Sequence, residues 1–403
     1  MGELSTAERE AIESASNEPM LRQVEAWAAI NTGTANLDGL KTMAGLLADE
    51  FARLPGELKL GDAAPADAID PDGSARQVRY GQNIHLAVRP QAPVQLLFTG
   101  HMDTVFAADH PFQSLSWLEP GKVLGGPGVA DMKGGIAIML AALKAIEASP
   151  DRGTIGYEVV INSDEEVGSP GSAALIARAA AGKRAALTYE PAALPDGTLA
   201  GARPGSGNFS FIITGRSAHA GRNPEDGRNA VVAAAELALH LSHSKTPGLS
   251  INPARIDGGS PNNVVPDHAI LRVNLRPQTG DDEEIAKRLI ADAVERIARE
   301  HDVRIDVHGG FGRPPKPMTR EAEALFQLVR NAGADLGQDI GWQATGGVCD
   351  GNNIAACGVP VVDTMGVRGG KIHSMEEYLI VDSLAERAAL SALTILRLAG
   401  SAA

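Results

Sequence analysis

Apolar positions along the chain follow two different periods, and the period switches from segment to segment. Val94 to Phe98 is a short unbroken apolar run that leads into Thr99-Gly100-His101. A run of this length predicts a strand buried on both faces and opening into a loop. Tyr157 to Ile161 and Ala185 to Tyr189 repeat the pattern, the first ending in Asn162-Ser163-Asp164. Helical spacing predicts helices over Met132 to Ile146, led by Asp131, and over Pro170 to Ala181. Upstream, Ser5 and Glu8 have capping-box spacing, with a helical pattern continuing through Ile30, and a second helix is predicted over Asn36 to Phe51. Alternating buried strands and helices predict an α/β sheet with helices on both faces.

The pattern changes near Pro204. Phe209 to Thr214 predicts a strand, and Glu225 to His243 holds a long helix. Ile270 to Arg276 alternates as a half-buried strand, Asp281 to Arg299 is a helix, and Val303 to Val307 is a strand. The order strand–helix–strand–strand–helix–strand is that of a split βαβ sandwich. Gly309 to Pro317 (GGFGRPPKP) reads as a hinge. A helix from Thr319, a Gly-rich segment, the strand Val359 to Met365 and a closing helix from Val381 follow. The expected organisation is one domain, 1–203 and 317–403, interrupted by an inserted domain at 204–316. A length of 403 residues suits two folded units.

The formal net charge of −14 argues against nucleic acid and against an anionic membrane surface as partners. Cys349 and Cys357 are too few and wrongly spaced for a disulfide framework or a CxxC pair. With no apolar core in Met1 to Met20, they predict a cytoplasmic location. Met1-Gly2 with Ser5 and Thr6 matches an acylation start only loosely.

Five short segments carry the candidate chemistry. His101 and Asp103 lie just after a predicted strand, where open α/β sheets bind ligands. Asp131 sits at the start of a helix behind a run of glycines; such an Asp is also what a helix cap requires. The glycine run lacks a Gly-Lys-Ser/Thr end, so it is not a phosphate loop. Glu165 and Glu166 follow another strand, and adjacent carboxylates there repel unless a cation holds them. Glu190 and His373 close the set. Singly, each fits a structural role. Together, two His and three carboxylates at strand ends form a mixed N/O donor set for zinc, manganese or cobalt. Five ligands are too many for one open zinc site and suit two metals that share a carboxylate.

The segments GHMDTV, GPGVADMKGG, SDEEVGS, YEP, GRSAHAG and KIHSMEEY, in this order, resemble those of the zinc metallopeptidase family of glutamate carboxypeptidase, acetylornithine deacetylase, succinyl-diaminopimelate desuccinylase and aminoacylase. The resemblance runs from about Glu18 to the last helix. It implies an α/β catalytic domain with a mixed sheet flanked by helices, interrupted by a small α+β dimerisation or lid domain, and a homodimer. It also implies two Zn2+ per subunit. His101 and Glu190 would complete one site, His373 and Glu166 the other, with Asp131 shared and its bond to Met132 cis. Glu165 would be the general base and Asp103 would orient His101. His219 would reach a partner's site and polarise the scissile carbonyl, while Asn263 and Arg276 would hold a substrate carboxylate. The implied reaction is cleavage of an amide next to a free carboxylate in an N-acyl-amino acid or short peptide. An N-acyl-amino-acid deacylase is the alternative, and a non-catalytic metal-binding homologue a further one. Glu190 resembles the carboxypeptidase and deacylase branches, whereas aminopeptidase branches tend to carry Asp. Gly346 to Asn353 (GGVCDGNN) departs from the more usual Gly-Gly-Thr-Asp-Ala run, which leaves the substrate open.

Overall fold

The apolar runs pair side by side in one six-stranded sheet. Its order is Glu57–Asp62, Gln82–Val88, Ile155–Asn162, Val94–His101, Ala185–Thr188 and Val361–Val362. The first two pairings are antiparallel and the last three parallel, so the sheet is mixed. Alternate residues of the central strands enter two separate cores. Leu96, Phe98, Val159 and Ile161 pack with helices Gly134–Ala148 and Asp382–Gly400 on one face. Leu97, Val160 and Ala186 pack with Ala173–Ala180 and Asp350–Ala356 on the other. Burial on both faces is why these strands read as continuous apolar runs rather than alternating ones. The computed structural model describes residues 3–400; the Met1-Gly2 pattern lies outside the described residues. Among the described residues no helix is long and apolar enough to cross a membrane.

The capping box forms: Ser5 Oγ accepts from the Glu8 amide at 3.1 Å and Glu8 Oε2 accepts from the Ser5 amide at 2.7 Å. The single helical pattern through Ile30 is instead two helices, Thr6–Ser16 and Met20–Ala28, with Pro19 between them. Proline lacks the amide and crowds the preceding turn, so it ends the pattern despite the apolar spacing.

A second, four-stranded antiparallel sheet has the order Leu249–Gly258, His268–Pro277, Ser206–Thr214 and Arg304–Arg313. Helices Ala230–His243 and Gly280–His301 share its core with Phe211, Ile213, Leu271 and Val273. Within the segment 309–317 that reads as a hinge, Gly309 to Arg313 belong to the last strand. Gly309 is there for close approach: its φ is +98°, and a Cβ would collide with the Asn208 carbonyl. The expected strand Val359 to Met365 is reduced to Val361–Val362.

The two chain crossings between the sheets are tied together. The Arg203 amide donates to Lys316 O and the Lys316 amide to Arg203 O, each at 2.9 Å. Both side chains converge on buried Asp363, Arg203 through Nε at 2.8 Å and Nη2 at 3.0 Å, and Lys316 at 2.9 Å. Together the two cations hold the Asp363 carboxyl down at about 2, against the upward push of burial.

Candidate metal centre and substrate groove

The parallel strands end on one edge of the large sheet, and the candidate residues collect there. His101 is the last residue of its strand, Glu165 and Glu166 form the turn after Ile155–Asn162, and Glu190 follows Ala185–Thr188. Asp131 lies in an irregular turn before helix Gly134–Ala148 and is not the cap its position suggested; its peptide bond to Met132 is cis. Gly135 lets the helix start pack against this edge, since a Cβ there would overlap the Tyr189 carbonyl. His373 comes from the segment after Val361–Val362 and has a left-handed φ of 61°.

The Asp131 carboxylate stands between the two imidazoles. Its Oδ1 is 3.1 Å from His101 Nε2 and its Oδ2 is 3.2 Å from His373 Nε2. Glu190 Oε2 lies 3.7 Å from His101 Nε2, and Glu166 Oε2 lies 3.1 Å from His373 Nε2. Ligand atoms of His101, Asp131 and Glu166 fall within 4.8 Å of one another, as do those of His101, Glu165 and Glu190. His101 Nδ1 is 3.0 Å from the backbone carbonyl of Asp103, which leaves Nε2 facing the carboxylates. The Asp103 carboxylate accepts from the amides of Glu165 and Glu166 at 3.1 and 3.2 Å and from Thr34 Oγ1 at 2.8 Å. Asp103 therefore joins the His101 loop to the Glu165-Glu166 turn.

The electrostatics fit a binding place for positive charge. Burial pushes Glu165 up to about 8, against the pull of Arg313 and His101. Burial and the Asp131 charge raise Glu166 to about 7. Burial raises Glu190 to about 8 despite His101. Hydrogen bonds to Asp131 and Glu166 raise His373 to about 11. A set of four carboxylates and two imidazoles shifted this way, buried except for His373, fits two divalent cations, which would replace the protons.

The sign of these shifts sets a prediction. The three glutamates bind protons more tightly in the folded chain than at the ordinary value of 4.5. The stability they contribute is complete below about pH 4.5 and is lost as pH rises through about 7 to 8. His373 loses its contribution in the same direction, toward its higher value. Chelator-treated protein should therefore melt at a falling Tm from pH 5 to pH 8.5. The Tm gain on adding zinc should grow over the same range. A zinc effect independent of pH in scanning fluorimetry would contradict it.

Two groups essential to this geometry were not singled out from the sequence. Arg313, the last residue of its strand, donates from Nη2 to Glu165 Oε1 at 2.6 Å and to the Glu165 carbonyl at 3.1 Å. Its Nη1 reaches Asp350 and Asn353, each at 2.9 Å. The only sequence signal was an arginine embedded in the Gly/Pro run that read as hinge. Glu377 accepts from the amides of Gly128, Ala130 and Asp131 at 3.2, 3.0 and 3.0 Å. It thus links the His373 segment to the turn that carries Asp131. Glu377→Ala should weaken zinc binding about 10-fold or more. Calorimetric titration with zinc checks this, and unchanged affinity would show that the turn holds its shape without the carboxylate.

Arg276 lines a groove of about 930 Å3 together with Glu165, Glu166, Arg313 and His373. Its Nη1 donates to the Gly346 carbonyl at 2.7 Å and its Nε to Asn274 Oδ1 at 3.0 Å. A second cavity, of about 410 Å3, opens from the same carboxylates toward Arg203 and Cys349. His219 and Asn263 are brought to each other, not to this centre. Both are exposed, and the Ala220 amide donates to Asn263 O at 3.0 Å beside the His219–Val264 bridge.

Comparison with known proteins agrees with this geometry. The chain is 30% identical over 394 residues to carboxypeptidase G2 of Pseudomonas sp. (strain RS-16), covering 94% of this chain and 89% of that protein. It is 25% identical over 312 residues to succinyl-diaminopimelate desuccinylase of Psychrobacter arcticus, covering 72% of this chain and 74% of that one. Its fold matches the crystal structure of a tripeptidase from Staphylococcus aureus with a TM-score of 0.74 at 23% identity, over 94% of this chain and 98% of the other. Residues 97–397 match the model of peptidase family M20/M25/M40. The chain belongs to that family, and it is a hydrolase of C–N bonds.

Proposed function

We propose that this protein cleaves an amide bond next to a free carboxylate, releasing a C-terminal amino acid from an N-acyl-amino acid or short peptide. The observation that carries the reading is the placement of Arg276 in one groove with Glu165, Glu166 and His373. The similarity to carboxypeptidase G2 supports it. Two divalent ions, zinc by the donor types, would be held by His101, Asp131 and Glu190 and by Asp131, Glu166 and His373. When bound they would polarise the carbonyl and lower the pKa of water from about 15.7 toward 7.

The chain's own residues do the rest. Glu165 takes the proton of the attacking water and hands it to the leaving amine. Arg313 fixes the Glu165 carboxylate in place through the 2.6 Å contact. Arg276 binds the substrate carboxylate, where a guanidinium fork gives bidentate contact. Residues 204–316 act as a lid and dimerisation domain, pivoting at the paired Arg203 and Lys316. In the dimer, His219 and Asn263 serve the partner's site, His219 on the developing oxyanion and Asn263 on the carboxylate.

Arg276→Ala should lower kcat/KM for N-acetyl-amino acids about 100-fold, the scale of losing a charged hydrogen-bond partner. It should leave the already slow cleavage of the corresponding amides unchanged. Steady-state kinetics on matched acid and amide pairs test the proposal. Equal rates on acids and amides in the unaltered enzyme would overturn it.

A further inference from the structure

The strip Gly346 to Cys349 separates two compartments that meet at the carboxylate cluster. On one side Arg276 holds the Gly346 carbonyl, and on the other Arg203 holds the Gly347 carbonyl at 3.1 Å. A substrate's carboxylate and side chain branch from one carbon, and Arg276 and the smaller cavity both border this strip. We infer that the cavity beyond the strip receives the side chain of the amino acid that carries the free carboxylate, and that it selects an uncharged, apolar side chain over an acidic one. The inference rests on the proposed cleavage beside a free carboxylate.

The walls carry the argument. Ala192, Ala193, Ala200, Val348 and Ile372 give the cavity an apolar lining, and about 410 Å3 is room for a large side chain. Arg203 is the cation deep in the lining, and three of its five N–H donors already face protein acceptors. Nε and Nη2 both bond Asp363, and Nη1 bonds the Gly347 carbonyl. Lys371 stands at the mouth, with its side chain 64% exposed and 3.7 Å from Glu376. Apart from the carboxylates and His373 of the candidate metal centre, the remaining polar groups are neutral. They are the hydroxyls of Thr345, Thr364 and Tyr378, and the buried thiol of Cys349, which burial holds in its protonated form. A thiol is a weak donor and packs as a small hydrophobe. Glu165 and Glu190 face the same space. A glutamate side chain entering here would lose water beside the carboxylates of Glu165 and Glu190, with Arg203 already paired to Asp363, and burial of a charge without a partner of its own is costly. Leucine, methionine or phenylalanine would gain apolar contact at no such cost.

Binding can be read without turnover. Glu165→Gln protein loaded with zinc would be titrated calorimetrically with N-acetyl-leucine, -methionine, -phenylalanine, -glutamine and -glutamate. The apolar three should bind at least about 10-fold more tightly than N-acetyl-glutamate, the low end of what one pocket contact discriminates. Glutamate binding as tightly as leucine, a flat series, or no binding by any member would overturn the inference. The N-acetyl-amino acid amides form a separate arm. If they bind as well as the acids, the free-carboxylate reading fails, while the side-chain ranking still reports on the cavity. Ala193→Lys, which puts an ammonium into a partly exposed position of the wall, should raise glutamate affinity relative to leucine about 10-fold. An unchanged ratio in that variant would also count against the cavity as the side-chain site.

Discussion

Replacing Glu165 with glutamine should lower kcat by about 10²- to 10⁴-fold, the range over which a positioned general base contributes. The protein should still bind two metal ions and melt near the Tm of the unaltered chain. The substitution keeps the side chain's volume and its acceptor oxygen, so Arg313 Nη2, now 2.6 Å from Glu165 Oε1, retains a partner. The backbone of residue 165 stays tied to Asp103 Oδ1 through its amide at 3.1 Å and to Arg313 through its carbonyl at 3.1 Å. Only the ability to take up and release a proton is lost. Glu166 does not substitute for it, because its Oε2 is directed at His373 Nε2, 3.1 Å away. Kinetics and metal analysis on the same preparation decide the matter. A kcat within about threefold of the original, with both metals bound, would assign the proton transfer to another group.

The candidate centre was legible in the sequence where one residue type at a strand end suffices. His101 ends a buried parallel strand and Glu165, Glu166 and Glu190 follow others, and such strands announce themselves as short apolar runs. The residues that were not legible work through partners far along the chain. Arg313 meets Glu165 across 148 positions and Glu377 meets Asp131 across 246. No local pattern marks such pairs, because only the folded topology brings them together. Composition misled at Gly309 to Arg313, where glycines that read as a hinge serve close strand contact. The strand Glu57–Asp62 was missed for a different reason. It is the exposed edge of the sheet, so its residues show little of the burial that creates a strand pattern. His219 and Asn263 were singled out from their segment alone, and within one chain they lie on the surface.

Removing the carboxylate shared by the two imidazoles should have the largest effect on metal. Asp131→Ala should reduce zinc stoichiometry from two to at most one, weaken what remains by more than about 100-fold, and abolish activity. Loss of an outer partner alone costs about 10- to 100-fold, and Asp131 is placed as a direct ligand to both positions. Its two oxygens are divided, Oδ1 toward His101 and Oδ2 toward His373, so this one carboxylate spans the gap. The alanine also leaves both imidazoles without the buried carboxylate that raises their proton affinity. Glu190→Ala is the informative comparison. Glu190 faces His101 only, at 3.7 Å, so its loss should weaken one site and leave the His373–Glu166 site occupied. Titration of both variants, followed by calorimetry and by cobalt absorption, separates the outcomes. If Asp131→Ala retained two tightly bound ions, the centre would have to be two independent sites, and the proposal that Asp131 bridges them would fall. If Glu190→Ala also lost both ions, the sites would be coupled through more than the shared carboxylate. The Asp103 carboxylate, joined to the Glu165 and Glu166 amides, would then be the next group to replace.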